Sequence, residues 1–349
     1  PYHLLDKNPF PDLARVDIVN STCPCAGLSS LSTTASSDSK HNDWMYQTAE
    51  YVLETVRPAV FWGENAPGLM GVKGESVRAR LHDIAAKNGY TMSFYKTKTI
   101  LHGGPQVRQR SFYFFWRGNK TPVLNWYDVP HEKIEDVFAR VKTNFQHEPI
   151  NKAIPSQVPS YAFVLNYIHG GITHAEFSAQ LGTRSARTCD VIAYIESKGI
   201  DFDVVAAWMR ENGHVREAEK YVKRKVKLAS GGQIMRRDVI VPKDYIGAFV
   251  AHYPQMLAHP TLDRFVTYRE AMMIMGMPDD FELVNASQKN VNHIAQNVPV
   301  QTAKHMAQEV LAALDGQREM IDTDLIMQYN GTEQIDYSKR ELTLDEHFV

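Results

Sequence analysis

The stretch Arg15-Val16-Asp17-Ile18-Val19-Asn20-Ser21-Thr22-Cys23-Pro24-Cys25-Ala26-Gly27-Leu28-Ser29 decides how the rest of the chain is read. Arg15 to Asn20 is short and rich in β-branched residues, the composition of a buried strand. The glycine two places after Cys25 lets the backbone turn sharply. The thiol of Cys25 is thereby placed at the carboxyl end of a strand, where open α/β sheets bind and transform their ligands. A cysteine there has the makings of a nucleophile, and later segments carry the groups it would need.

With 349 residues and 44% hydrophobic content, the chain can bury a large core and is expected to form two domains. No run of eighteen apolar residues occurs and no signal peptide opens the chain, so a soluble intracellular protein is expected. Three cysteines, Cys23, Cys25 and Cys189, do not make a disulfide framework. Cys23-Pro24-Cys25 could begin a metal site, but no further Cys or His at zinc-ligand spacing completes it. The net charge of −2 argues against a uniformly basic coat, so any nucleic-acid contact must come from local patches.

Downstream stand Gly63-Glu64-Asn65-Ala66, then Gly104-Pro105-Gln106-Val107-Arg108-Gln109-Arg110, then Thr267-Tyr268-Arg269-Glu270-Ala271 leading to Gly276-Met277-Pro278-Asp279-Asp280-Phe281, and finally Gln296-Asn297-Val298-Pro299. Together with Pro-Cys-x-Gly-x-Ser, this order resembles the DNA cytosine-5 methyltransferases, with their Glu-Asn-Val, Gln-x-Arg-x-Arg, Arg-Glu-Ala…Gly-Phe-Pro-Asp-Asp-Phe and Gly-Asn-x-Val-Pro elements. There are departures. Ala26 stands for the usual Gln, Leu28 for Phe, Ala66 for Val, Met277 for Phe and Ala295 for Gly, but none of these removes a catalytic functional group.

The resemblance implies an α/β, Rossmann-like methyltransferase sheet with helices on both faces and a smaller, largely helical target-recognition region. Residues 1–117 would form the catalytic domain and 118–284 the recognition domain; 285–316 would return to the catalytic domain, and 317–349 would be a tail. It also implies S-adenosylmethionine as methyl donor, touched by Pro24, Asn297 and Val298, and double-stranded DNA as substrate. Cys25 would be the nucleophile, and Glu64 would lie against the N3 and amine edge of a flipped-out cytosine. Strand alternation puts Arg108 and Arg110 on one face. They are either solvated edge residues or, as the resemblance implies, neighbours of the target base, the carboxylate and a phosphate, work that suits a planar, permanently charged fork. Ser29 and Gln106 would contact DNA. The polar run from Ser30 to Lys40 is read as a mobile loop, either an ordinary connection or, as the resemblance implies and its place beside Cys25 favours, a lid over bound DNA.

Between Gly118 and about Leu228 the resemblance fades, as expected of a recognition region. Residues 173–196 read as helix, glycine turn, helix, either an ordinary helical hairpin or a DNA-reading helix-turn-helix with Ser185, Arg187 and Asp190 facing outward. Lys223, Arg224 and Lys225, followed by Arg236 and Arg237, form the densest basic cluster and are expected to meet phosphates.

The family's opening glycine-rich turn, Phe-x-Gly-x-Gly, appears nowhere. The expectation is that the donor-binding layer belongs to a preceding segment of the same chain, or to a complementary subunit. The expected setting is the cytoplasm of a bacterial or phage-infected cell, in restriction-modification or phage self-protection. The rival reading is a catalytically inactive DNA-binding or assembly protein on the same fold, or a variant cytosine- or RNA-modifying enzyme.

Overall fold

The computed structural model describes residues 16–29, 36–142, 146–182, 189–232, 234, 238–250, 253–284 and 288–332. They fall into two compact units, one drawing on residues up to 102, 108–130 and from 301, the other on 103–107 and 131–300.

The first unit is built on a five-stranded mixed sheet. Its strands are β1 (Ile18–Thr22), β2 (Val60–Asn65), β3 (Tyr90–Lys98), β4 (Gln109–Arg117) and, after short β5 (Thr121–Pro122), β9 (Leu325–Tyr329), in the order β1-β2-β4-β3-β9. β1 runs parallel to β2, β4 is antiparallel to both β2 and β3, and β9 is parallel to β3. Aromatic and β-branched residues fill β2 to β4, which fits them for a pleated surface buried on both sides. One face carries Phe61, Met92, Phe94, Tyr113 and Phe115. They pack with Met45, Tyr46 and Ala49 of α1 (Asp43–Tyr51) and Val77, Leu81 and Ala85 of α2 (Glu75–Asn88). The other face carries Trp62, Phe114 and Trp116, with the rings of Trp62 and Phe114 stacked at 6.0 Å.

β1 is half-buried rather than buried, because among the described residues it pairs on one side only. Residues 317–332 are not a featureless tail either. β8 (Met320–Ile321) pairs with β5, and β9 joins the sheet, so this segment is structural.

Helix α11 (Val300–Leu314) is tied to the sheet's exit turns by polar contacts. Thr302 Oγ1 lies 3.2 Å from Thr99 Oγ1, and His305 Nδ1 lies 2.9 Å from His102 Nδ1. Glu309, fully buried, accepts from Asn125 N at 3.0 Å and from Arg318 Nε at 2.7 Å.

The second unit is largely helical: α3 (Ile134–Ala139), α4 (Pro159–Phe163), α5 (His174–Gly182), α6 (Val191–Ser197), α7 (Phe202–Glu211), α8 (Val215–Ala229), α9 (Tyr268–Ile274) and α10 (Gln288–Gln296). Its short strands β6 (Cys189–Asp190) and β7 (Ile240–Val241) pair with each other. α9 opens on a full capping box between Thr267 and Glu270, and its methionine-rich face is core. No helix of the described residues is long and apolar enough to cross a membrane.

Candidate active site

Cys25 is exposed on a turn closed by Leu28 N donating to the Cys25 carbonyl at 3.0 Å. Two close approaches hold that turn. A Cβ on Gly27 would lie 2.4 Å from Asn42 Oδ1, and one on Gly68 would lie 2.2 Å from the Leu28 carbonyl oxygen, so both positions need a residue without a side chain. Leu28 is buried and anchors the turn in the core.

The other cysteine of the motif has a different place. Cys23 is buried, with Ser21 Oγ at 3.5 Å and the Tyr113 hydroxyl at 3.9 Å. Among the described residues no group of three or more side chains could hold a metal ion.

Parallel pairing of β1 and β2 sets Thr22 opposite Glu64, so Glu64 and the Cys25 turn share one end of the sheet. Glu64 is the penultimate residue of β2 and is only 6% exposed. Antiparallel β4 then sets Phe112 opposite Glu64 and leads its Arg110 back to the same end, where Arg110 Nε lies 2.5 Å from Glu64 Oε1. Burial pushes the Glu64 carboxyl above its usual range; Arg110 and Arg108 work against that shift without cancelling it.

Arg108 is 1% exposed, and its backbone carbonyl is fixed by Thr99, whose N–H donates to it at 2.9 Å. Burial, then the like charge of Arg110, push its guanidinium down to about 9, while Glu64 and Cys25 pull the other way. It is therefore cationic at neutral pH and electrostatically coupled to both the carboxylate and the thiol. Cys25, Glu64, Arg108 and Arg110 thus belong to one corner of the first unit. Half-buried Ser29 follows the same turn.

The remaining sequence candidates are placed as follows. Pro24 is exposed beside Cys25; in the second unit Asn297 is exposed and Val298 half-buried after α10. Among the described residues no strand leads into a Phe-x-Gly-x-Gly turn. Pro24 of the first unit and Asn297 and Val298 of the second are the residues that the resemblance assigns to S-adenosylmethionine.

Gln106 is fully buried in the second unit, where its Oε1 accepts from Phe249 N at 3.3 Å and its Nε2 approaches the Ile274 carbonyl at 3.4 Å. Its position there is that of an internal brace, not of a surface contact.

The helix-turn-helix reading meets a different local structure. α5 and α6 are present, but Cys189 and Asp190 pair with β7 before α6 begins. Asp190, expected to face outward from the second helix, is its N-cap, accepting from Ile192 N at 2.9 Å. A carboxylate before an apolar helical run caps more readily than it extends. Ser185, Arg187, Arg236 and Arg237 lie outside the described residues.

In the basic cluster Lys223 is exposed, whereas its two neighbours are engaged. Arg224 forms a two-pronged pair with Asp238, at 2.7 Å on each arm, and Lys225 pairs with Asp201 at 3.0 Å and with Asp203. The sequence shows the positive run but not the acidic partners, which come from α7, the residue before it and the segment before β7.

The chain matches the family described as C-5 cytosine-specific DNA methylase over residues 2–312, and it belongs to that family. Among characterised relatives, the Type II methyltransferase M.AgeI of Thalassovita gelatinovora is 21% identical over 365 residues, covering 86% of this chain and 84% of the relative. Among solved structures, one described as a DNA modification methyltransferase encoded within a prophage (E. coli) superposes with a TM-score of 0.53 at 14% identity. That match covers 90% of this chain and 84% of the other, and supports the Rossmann-like methyltransferase fold. The Entamoeba histolytica methyltransferase EhMeth aligns with a TM-score of 0.48 at 13% identity, over 85% of this chain and 78% of its own.

Proposed function

We propose that this protein methylates carbon 5 of cytosine in double-stranded DNA through a covalent adduct between Cys25 and a flipped-out base. The observation that carries the reading is the exposed thiol at the carboxyl end of β1, with the Glu64–Arg110 pair brought to the same end by the neighbouring strands. Carbon 5 of an aromatic, electron-poor ring is a weak nucleophile, and covalent addition removes that obstacle. The Cys25 thiolate attacks carbon 6 while Glu64 supplies or shares the proton taken up at N3, leaving an enamine whose carbon 5 is electron-rich. Arg110 orients the Glu64 carboxyl, and buried Arg108 adds positive charge beside the thiol. The family and the fold imply S-adenosylmethionine as the source of the methyl group. Loss of the carbon 5 proton afterwards expels the thiolate and restores the ring.

A base inside a duplex cannot reach Cys25, so it must leave the stack at a cost of a few kcal/mol, offset by contacts along the duplex. We place those contacts on the second unit and on Ser29. The Type II name of the relative from Thalassovita gelatinovora favours a restriction-modification role in a bacterial cytoplasm, and the prophage neighbour is compatible with a phage-borne version. The test is incubation of the full-length protein with S-adenosylmethionine and duplexes carrying 5-fluorocytosine in all sequence contexts. The fluorine blocks the last elimination, so a denaturation-resistant protein–DNA species is expected, and its absence would overturn the reading.

The basic cluster gives a prediction that separates two roles. Lys223→Glu should weaken DNA binding across all sequences and lower the salt slope by about one charge or slightly more. Arg224→Glu should instead destabilise the second unit by about 3–5 kcal/mol, because it leaves largely buried Asp238 facing a like charge. Anisotropy titrations over a salt series and thermal melts read the two effects. Equal binding by Lys223→Glu and the parent at every salt concentration would remove α8 from the DNA interface.

A further inference from the structure

Asn42 ends the 3₁₀ turn Lys40–Asn42 that runs into α1, its backbone helical at φ −74° and ψ −22°. That turn is capped by Ser39, whose side chain accepts from His41 N at 3.4 Å, so the Asn42 side chain is not needed as a cap. Its Nδ2 instead donates to the carbonyls of Ser36 and Ser37, at 3.1 and 2.8 Å. Its Oδ1 is buried without a hydrogen-bond donor among the described residues, and the residue is only 1% exposed. That oxygen lies against Gly27, filling the space in which a side chain on residue 27 would stand. Burying an unpaired oxygen is unfavourable, and the turn it stands in already has its cap in Ser39. The arrangement therefore serves something other than helix stability.

We infer that Asn42 is a positioning residue for the methyl-transfer reaction. It wedges the Cys25–Leu28 turn from one side, while the Gly68 backbone closes it from the other, so that Cys25 is held outward in one geometry. The same side chain ties that turn to the Ser36–Ser37 backbone, so the turn and the later part of the polar run are referenced to one amide. This rests on the reading of Cys25 as the nucleophile and adds to it the residue that sets the thiol's position. Gly27 and Asn42 are a matched pair: Gly27 has no positive φ, so alanine there is opposed chiefly by the Asn42 oxygen at 2.4 Å, with Ser39 Cβ a lesser obstacle at 3.0 Å, and not by its own backbone.

The pairing makes the inference testable by rescue. The rate of 5-fluorocytosine adduct formation is measured for the full-length parent, Asn42→Ala, Gly27→Ala and the double variant, with melting temperatures taken alongside. Each single variant is expected to be slower by on the order of a hundredfold, the cost of misplacing a reacting group by about 1 Å. In the double variant the methyl group introduced by Gly27→Ala enters the space vacated at position 42, so its rate should match or exceed that of either single variant. Penalties that instead multiply, to on the order of ten-thousandfold, would show two independent sites and overturn the inference. So would an Asn42→Ala protein as fast as the parent. If Asn42→Ala does not fold, Asn42→Asp keeps the wedge and loses both donors; it should be slow and should give Gly27→Ala no rescue, and a rescue there would count against the pairing. A parent that forms no adduct overturns the assignment of Cys25 itself, which distinguishes that failure from failure of the wedge.

Discussion

Cys25→Ser is expected to abolish methyl transfer while leaving DNA affinity within about twofold of the parent, an effect on the free energy of binding below roughly 0.5 kcal/mol. The side chain is exposed and its replacement is nearly the same size, so neither the core nor the turn closed by Leu28 is disturbed. What changes is chemistry. A thiol yields a strongly nucleophilic thiolate far more readily than a hydroxyl yields an alkoxide, which needs a base to take its proton. Bisulfite sequencing of DNA exposed to each protein reads the outcome. Protected cytosines with the serine variant would remove Cys25 from the mechanism. Cys23→Ser offers the contrast: that thiol is buried between Thr48 and Tyr113, so its loss should appear in stability and not in the chemical step.

What can be read from sequence follows from how local each signal is. The strand before Cys25 is written in short-range composition, and the expected span 15–20 falls within two or three residues of the observed Ile18–Thr22. Glu64 and Arg110 are legible as motif members, but their ion pair is a consequence of strand order β1-β2-β4, which no local pattern encodes. β9 escapes a local reading because Leu325–Tyr329 is a five-residue run after acidic, polar sequence; it becomes a strand by pairing with β3, more than two hundred residues earlier in the chain. Gln106 reads as a surface contact from its motif alone, yet its burial is set by residues such as Phe249 and Ile274 that are remote in sequence. Arg224 shows the same limit. Its charge is visible, and its neutralisation by Asp238 is not. Asn42 carries no family signal, and only the proximity of its amide to Gly27 draws attention to it.

Glu64→Gln is expected to lower the methyl-transfer rate by about 10²–10⁴-fold, the usual contribution of a positioned acid or base, with little change in KM for DNA. Glutamine retains the shape of the side chain and can still hydrogen-bond a cytosine edge, so base binding should survive. It cannot pass a proton to N3. Because burial holds the Glu64 carboxyl above its usual range, a larger fraction carries that proton near neutral pH than would a solvated glutamate. The parent's rate should therefore decline on the alkaline side as this proton is lost, and the variant's residual rate should lack that decline. Stability gives an independent check with a definite sign. A carboxyl whose pKa is raised on folding contributes stability that is complete below its unfolded value, roughly 4.3, and is lost as pH rises through the raised folded value. The parent's melting temperature should thus carry a downward component across that window that Glu64→Gln does not share. A glutamine variant that retained the parent's rate and its alkaline decline would assign the proton at N3 to another group.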